Sequence, residues 1–220
     1  MVSAYLTVAR DGEAELEVKR SRFLATVRRV GTESEARAVV DTLRRRHWDA
    51  RHHCTALRIG PPPQPVERSN DDGEPAGTAG APMLEVLRGH RGGPGTAGGP
   101  GVADVVVVVS RWFGGTLLGA GGLVRAYGDA VRAGLEEAGT LRRELVREFA
   151  LTMPYDAAGR VETELRSAGV AVLGTSYDVS VRIAVAAPPD DEARLTALVA
   201  SLTAGTGVLV AGRDRWVDRR

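Results

Sequence analysis

Residues 102–128 read VADVVVVVSRWFGGTLLGAGGLVRAYG, and their order decides the fold around them. Val102 to Val109 is almost wholly valine. An apolar run without alternation predicts a strand buried on both faces. Gly114 to Gly122 follows as a glycine-rich turn, and Leu123 to Glu137 as a helix. Glycines between a strand and a helix let backbone N–H groups approach a ligand, and a helix start favours an anion. Neither nucleotide fingerprint is complete. Ala120-Gly121 stands where a phosphate loop needs Lys and Ser or Thr, and Val124 where a dinucleotide motif needs its third glycine. A tight strand-to-helix crossing needs the same small residues, so anion binding and packing both stand as readings.

Upstream, Ala4 to Val30 reads as hairpin-like, and Arg22 to Val30 alternates as a strand with Phe23, Ala25 and Val27 on one face. Thr32-Glu33-Ser34-Glu35 fits a capping box, and the helix it opens ends on Arg44, Arg45 and Arg46, where the helix dipole favours cations. His53 to Ile59 reads as a strand. Gly60 to Gly80 reads as a long loop, uncommon unless functional. Pro82 suits the first turn of a short helix through Leu87. Arg91 to Gly101 carries six Gly and two Pro and reads as a flexible insertion. Downstream of Leu141 to Glu144, strand and helix patterns follow in the order βαββαβ, the ferredoxin-like signature. The expected class is α+β in two domains, 1–141 and 142–220.

Composition limits what the chain does. Its 220 residues make one large domain or two small ones, and 29 Lys+Arg against 28 Asp+Glu leave a net charge of +1. That excludes a polybasic nucleic-acid coat but not a local basic groove. The lone cysteine, Cys54, excludes an intrachain disulfide, no apolar run nears the ~18 residues of a membrane helix, and the N-terminus lacks a signal-peptide pattern. A cytoplasmic protein without a membrane partner is expected.

Four constellations carry candidate chemistry. Beside the glycine turn, Ser69 to Gly80 (SNDDGEPAGTAG) offers Asp71, Asp72 and Glu74. Such a loop holds a hard cation, bonds its own backbone in Asx turns, or orients Arg111 or Lys19. Asp49 to Cys54 (DARHHC) places His52 and Cys54 on one strand face and His53 on the other. It supplies too few ligands for structural zinc; a Cys54 nucleophile with a His base is one reading, and a buried Cys with two hydrogen-bonded His is the favoured one. Finally, Lys19-Arg20-Ser21-Arg22-Phe23 gathers three cations and an aromatic. With Arg44 to Arg46, Arg51, Arg111 and Arg125, and with Trp112, Phe113 and Tyr127 nearby, it suits RNA phosphates and base stacking, or else a solvated face. The candidate ligand-binding set is Lys19, Ser21, Arg22, His52, His53, Asp71, Asp72, Glu74, Arg111, Trp112, Gly114, Gly115, Gly119, Gly121, Gly122, Arg125 and Tyr127, expected to border one cleft. No metal or cofactor is expected, and catalysis is left open.

KRSRF (19–23), ARHHC (50–54), NDDGEPAGTAG (70–80), RWFGG (111–115) and LGAGGLVRAY (118–127) together resemble the IMPACT family in its bacterial YigZ branch. The resemblance spans roughly Glu17 to Gly139. Residues 91–101 depart from it, and Trp112 stands where relatives usually carry Tyr. It implies a left-handed βαβ first domain, shared with a ribosomal protein and the GHMP small-molecule kinases. It also implies a second domain like the ferredoxin-like fifth domain of elongation factor G. RNA or ribosome-linked binding with a role in translation regulation follows as the first expectation. A phospholigand-binding protein or enzyme using the glycine-rich helix start is the alternative. A protein-interaction module, as in eukaryotic relatives that bind a partner protein of a stress kinase, is the third.

Overall fold

In the computed structural model, residues 2–92 and 101–219 are described, and the chain divides into two compact units between Arg143 and Glu144. The first unit contains β1 (Ala4–Val8), β2 (Gly12–Val18), β3 (Ser21–Arg29), α1 (Glu33–Arg46), β4 (His52–Ile59), β5 (Val66–Asn70), α2 (Gly80–Gly89), β6 (Val105–Trp112) and α3 (Ala120–Ala138). A strand β7 (Thr140–Met153) spans the division. The second unit continues with α4 (Tyr155–Ser167), β8 (Ala171–Tyr177), β9 (Val181–Ala187), α5 (Glu192–Leu202) and β10 (Val208–Arg219).

The five-stranded sheet of the first unit has the order β2-β3-β6-β4-β5. β6 lies antiparallel to both β3 and β4, so it is inserted between the two strands that α1 connects. This explains the valine run. Val105, Val107 and Val109 face the core under α2 and α3, Val106 and Val108 face the core under α1, and all five are fully buried. Thr32 caps α1 by accepting from the Glu35 N–H at 3.1 Å, and Glu35 reaches back to the Gly31 N–H at 2.7 Å. The reach is one residue longer than the capping box read from the sequence.

β2 and β3 form a hairpin whose two turn residues, Lys19 and Arg20, both have positive φ (47° and 67°). Two positive-φ residues are the mark of the mirror-image turn that matches strand twist, a turn that Asn-Gly would fill without strain. Gly114 is packed against this turn. A methyl group there would lie 2.0 Å from the Arg20 carbonyl. Packing, not ligand approach, accounts for that glycine.

Two expectations are corrected. Residues 60–80 are not a structureless loop, since β5 runs through them and pairs with β4 from Ile59↔Val66 to Thr55↔Asn70. Its sequence, VERSN, has the charged character of an edge strand and no apolar alternation. The expected insertion falls largely on 93–100, outside the described residues. At its far end Gly101 is buried, with φ 83° and no room for a methyl group beside the Leu87 carbonyl, so a flexible reading does not extend to it.

In the second unit, Glu144–Met153 of β7 with α4, β8, β9, α5 and β10 give the βαββαβ order, and the strands lie β10-β7-β9-β8. Phe149, Leu151, Ile183 and Val185 pack against Val161, Leu165, Leu195 and Val199 of the two helices. Apolar stripes at helical spacing on α4 and α5 meet the alternate residues of β7 and β9.

Candidate functional site

Strand register builds the centre of the site. His52 lies directly opposite Arg111, and Arg111 opposite Phe23, on the core face of the sheet. One residue along, His53 lies opposite Ser110 on the other face, and its Nδ1 is 3.0 Å from the Ser110 hydroxyl. Burial, and then the charge of Arg44, push the His53 imidazole below its usual value.

Arg111 is buried, and its guanidinium donates to Glu74 Oε1 at 2.5 Å and to the Ser21 hydroxyl at 3.4 Å. The Ser21 oxygen also accepts the Gly114 N–H. Tyr127, rising from α3, donates its hydroxyl to the same Glu74 oxygen at 2.8 Å and sets its ring edge-on to Phe23. Beneath it lies the Cys54 thiol, raised to about 12 by burial and so protonated at neutral pH. Breaking a buried ion pair of this kind by removing one partner costs about 3–5 kcal/mol.

The acidic loop divides its labour. Asp71 accepts three backbone N–H groups, from Gly77 at 2.8 Å, Ala79 at 3.0 Å and Gly80 at 2.7 Å. It supplies the start of α2 with a cap that Ala79 cannot provide. Burial opposes its ionisation, but those three donors outweigh it and hold the carboxyl below its ordinary range. Asp72, at φ 48°, accepts the His53 N–H and the Arg44 guanidinium. Only Glu74 faces the cavity. Among the described residues no group of three or more His, Cys, Asp or Glu converges on a metal position.

Beside this centre is a cavity of about 340 Å³. Arg51, His52, Glu74 and Arg111 form its polar wall, Phe113, Leu117, Leu118 and Leu123 its apolar one, and Gly119 and Ala120 open it onto the start of α3. α3 has no side-chain cap and no acidic residue in its first turn. Gly119 needs its glycine for φ 73°, whereas Gly121 has ordinary φ and open space around it.

The expected single cleft is not what the fold makes. His52, Glu74, Arg111 and Gly119 share this cavity, but Lys19, Gly121, Gly122 and Arg125 border a separate hollow of about 590 Å³ on the other side of Leu118. A larger concavity, about 770 Å³ between α2 and α3, includes only Arg125 of the predicted set. Arg22 stacks 3.8 Å over Trp112, whose edge meets His47, and pairs with Glu15. Gly115 serves a positive φ. Ser21, His53 and Tyr127 are buried, so they support the site without touching a ligand, and Tyr127 and Phe23 cannot stack on bases. Arg111 is committed to Glu74 and is not a free phosphate contact. Sequence reading passed over Leu117 and Ala120, whose only signal was their place inside the glycine turn. It also passed over Trp48, 83% exposed beside the arginines that end α1.

Comparison with known proteins agrees with this architecture. The Impact N-terminal domain matches residues 19–135, and a Domain of unknown function (DUF1949) matches 151–206. The chain is 35% identical over 219 residues to the IMPACT family member YvyE of Bacillus subtilis (strain 168), covering 100% of this chain and 96% of that one. It is 36% identical over 196 residues to YigZ of Escherichia coli (strain K12), covering 89% and 91%. A crystal structure described as that of a hypothetical protein superposes with a TM-score of 0.62 at 34% identity, covering 97% of this chain and 99% of that one. Among the described residues no helix is long and apolar enough to cross a membrane. With its motifs set on these strands and its length matched nearly end to end, the chain belongs to the IMPACT family.

Proposed function

We propose that this protein binds a small molecule carrying a phosphate or carboxylate in the cavity at the start of α3. One observation carries the reading. The uncapped N-terminus of a 19-residue helix opens into a partly enclosed space beside Arg51, whose guanidinium has no ion-pair partner among the described residues. Free N–H groups and the helix dipole together favour an anion there. An apolar wall with a few convergent polar groups is the usual make-up of a small-ligand pocket, and about 340 Å³ lies at the small end of that class. The test is Ala120→Asp. Ala120 is exposed in the first turn of α3, so a carboxylate there supports the helix and occupies the anion's place. Calorimetric titration against phosphorylated metabolites should show binding weakened at least ~tenfold, equivalent to ~1.4 kcal/mol, with an unchanged or raised melting temperature. Equal affinity for the variant would overturn the reading.

A second reading, RNA or ribosome-linked binding in translation regulation, is supported by a surface that shares Arg51 and Phe113 with the cavity and extends beyond it. Lys19, Arg20, Arg22, Arg44, Arg45, Arg46 and Arg51 are exposed, as are Trp48 and Phe113. Cations with exposed aromatics suit single-stranded RNA. If oligouridylate binds there, log affinity should fall by ~0.7 per log salt for each phosphate neutralised. Arg45→Ala with Arg51→Ala should then flatten the slope by about two contacts. A slope unchanged in the double variant would exclude this surface.

A further inference from the structure

The polar wall of the cavity holds two acceptors, His52 and Glu74, beside the guanidinium groups of Arg51 and Arg111. Nδ1 of His52 lies 2.8 Å from the main-chain carbonyl oxygen of Asp72. A carbonyl oxygen only accepts, so Nδ1 carries the hydrogen and Nε2 of the neutral ring presents a lone pair. Nε2 faces Glu74 Oε1 across 3.9 Å. That oxygen already receives Arg111 and Tyr127, while Oε2 takes no hydrogen bond from the described residues. The Glu74 side chain is only 3% exposed, and what it does expose lines this cavity. The start of α3 is the reverse, a set of donors without an acceptor. Leu123 N–H is the first in that helix to find its carbonyl, on Gly119.

A simple anion satisfies one end of such a space and leaves two acceptors facing each other at the other. We infer that the ligand also carries an ammonium or amino group, which donates to His52 Nε2 and Glu74 Oε2. The cavity then selects small zwitterions, such as amino-phosphates or amino acids, over plain anions. This rests on the anion site proposed above and adds its opposite pole. Phe113 and the leucines line the sides and favour a short apolar link between the two charges.

The full chain is titrated with a series of short aminoalkyl phosphates and with the alkyl phosphates of matching length. The best amino member should bind at least ~tenfold tighter than its plain partner. Glu74→Gln should erase that difference. Because Glu74 also holds the buried Arg111, His52→Leu serves as a second variant, and it should narrow the difference with Arg111 and Glu74 still paired. Paired probes of equal affinity, or plain phosphates that bind tighter, would overturn this inference while leaving the anion site standing. Failure of both series to bind would overturn the anion site and this inference with it.

Discussion

Asp71 shows how little of a motif's meaning lies in its residue type. Three neighbouring carboxylates read alike in sequence, yet one caps a helix, one anchors an arginine and one faces the cavity. The separation comes from backbone geometry that no spacing rule predicts. Asp71 also links the loop to pH. Its folded pKa is depressed, so its contribution is complete above the unfolded carboxylate value of about 3.9 and is lost as pH falls through the folded one. Denaturation midpoints should therefore drop on acidification below about pH 4. Asp71→Asn, which keeps an acceptor for α2 but cannot ionise, should flatten that limb. An identical acid limb in the variant would assign the effect to other groups. Arg111 and Tyr127 were legible as site residues only in part. Their types pointed to chemistry, but their burial depends on Glu74 arriving from a distant loop.

At the level of elements, β6, α1 and the second unit's βαββαβ order were readable, because valine runs, capping boxes and helical stripes are local signals. β5 was not, because an edge strand of charged residues looks like a loop until its partner is known. The β2–β3 hairpin adds a conflict between sequence and shape. Lys19 and Arg20 occupy a turn that prefers Asn-Gly, and Gly114 has been kept clear to receive it. Replacing them together, Lys19→Asn with Arg20→Gly, should relieve that strain and raise stability by about 1 kcal/mol, read by urea denaturation. A loss of stability would mean that the two side chains make compensating contacts. Backbone strain tends to persist where a side chain is needed for function, and Lys19 borders the second hollow.

For the whole molecule, the sequence placed a domain boundary at 141/142, and the compact units divide between Arg143 and Glu144. Arg143 stays with the first unit through its ion pair with Asp104 at 2.7 Å. Residues 144–220, expressed alone, should melt cooperatively with a near-UV circular dichroism signal, since the unit has its own core. A molten product would show that it needs the first unit. The division of the motif residues between two hollows was the least legible feature, because which motif residues meet is settled by long-range register and not by proximity in sequence. The placement of β6 between β3 and β4 has a further consequence, for synthesis. Both flanking strands leave the ribosome before the strand that joins them, and at about 5–20 residues per second the stretch from Ile59 to Val105 takes roughly 2–9 s. During that interval two inner edges stand open, and the segment that closes them is an uncharged five-valine run of the kind that seeds aggregates. The nascent chain thus depends on its own late-arriving centre, and a translation stall just ahead of Val105 would leave a fragment fit for chaperones or proteases rather than a half-built domain.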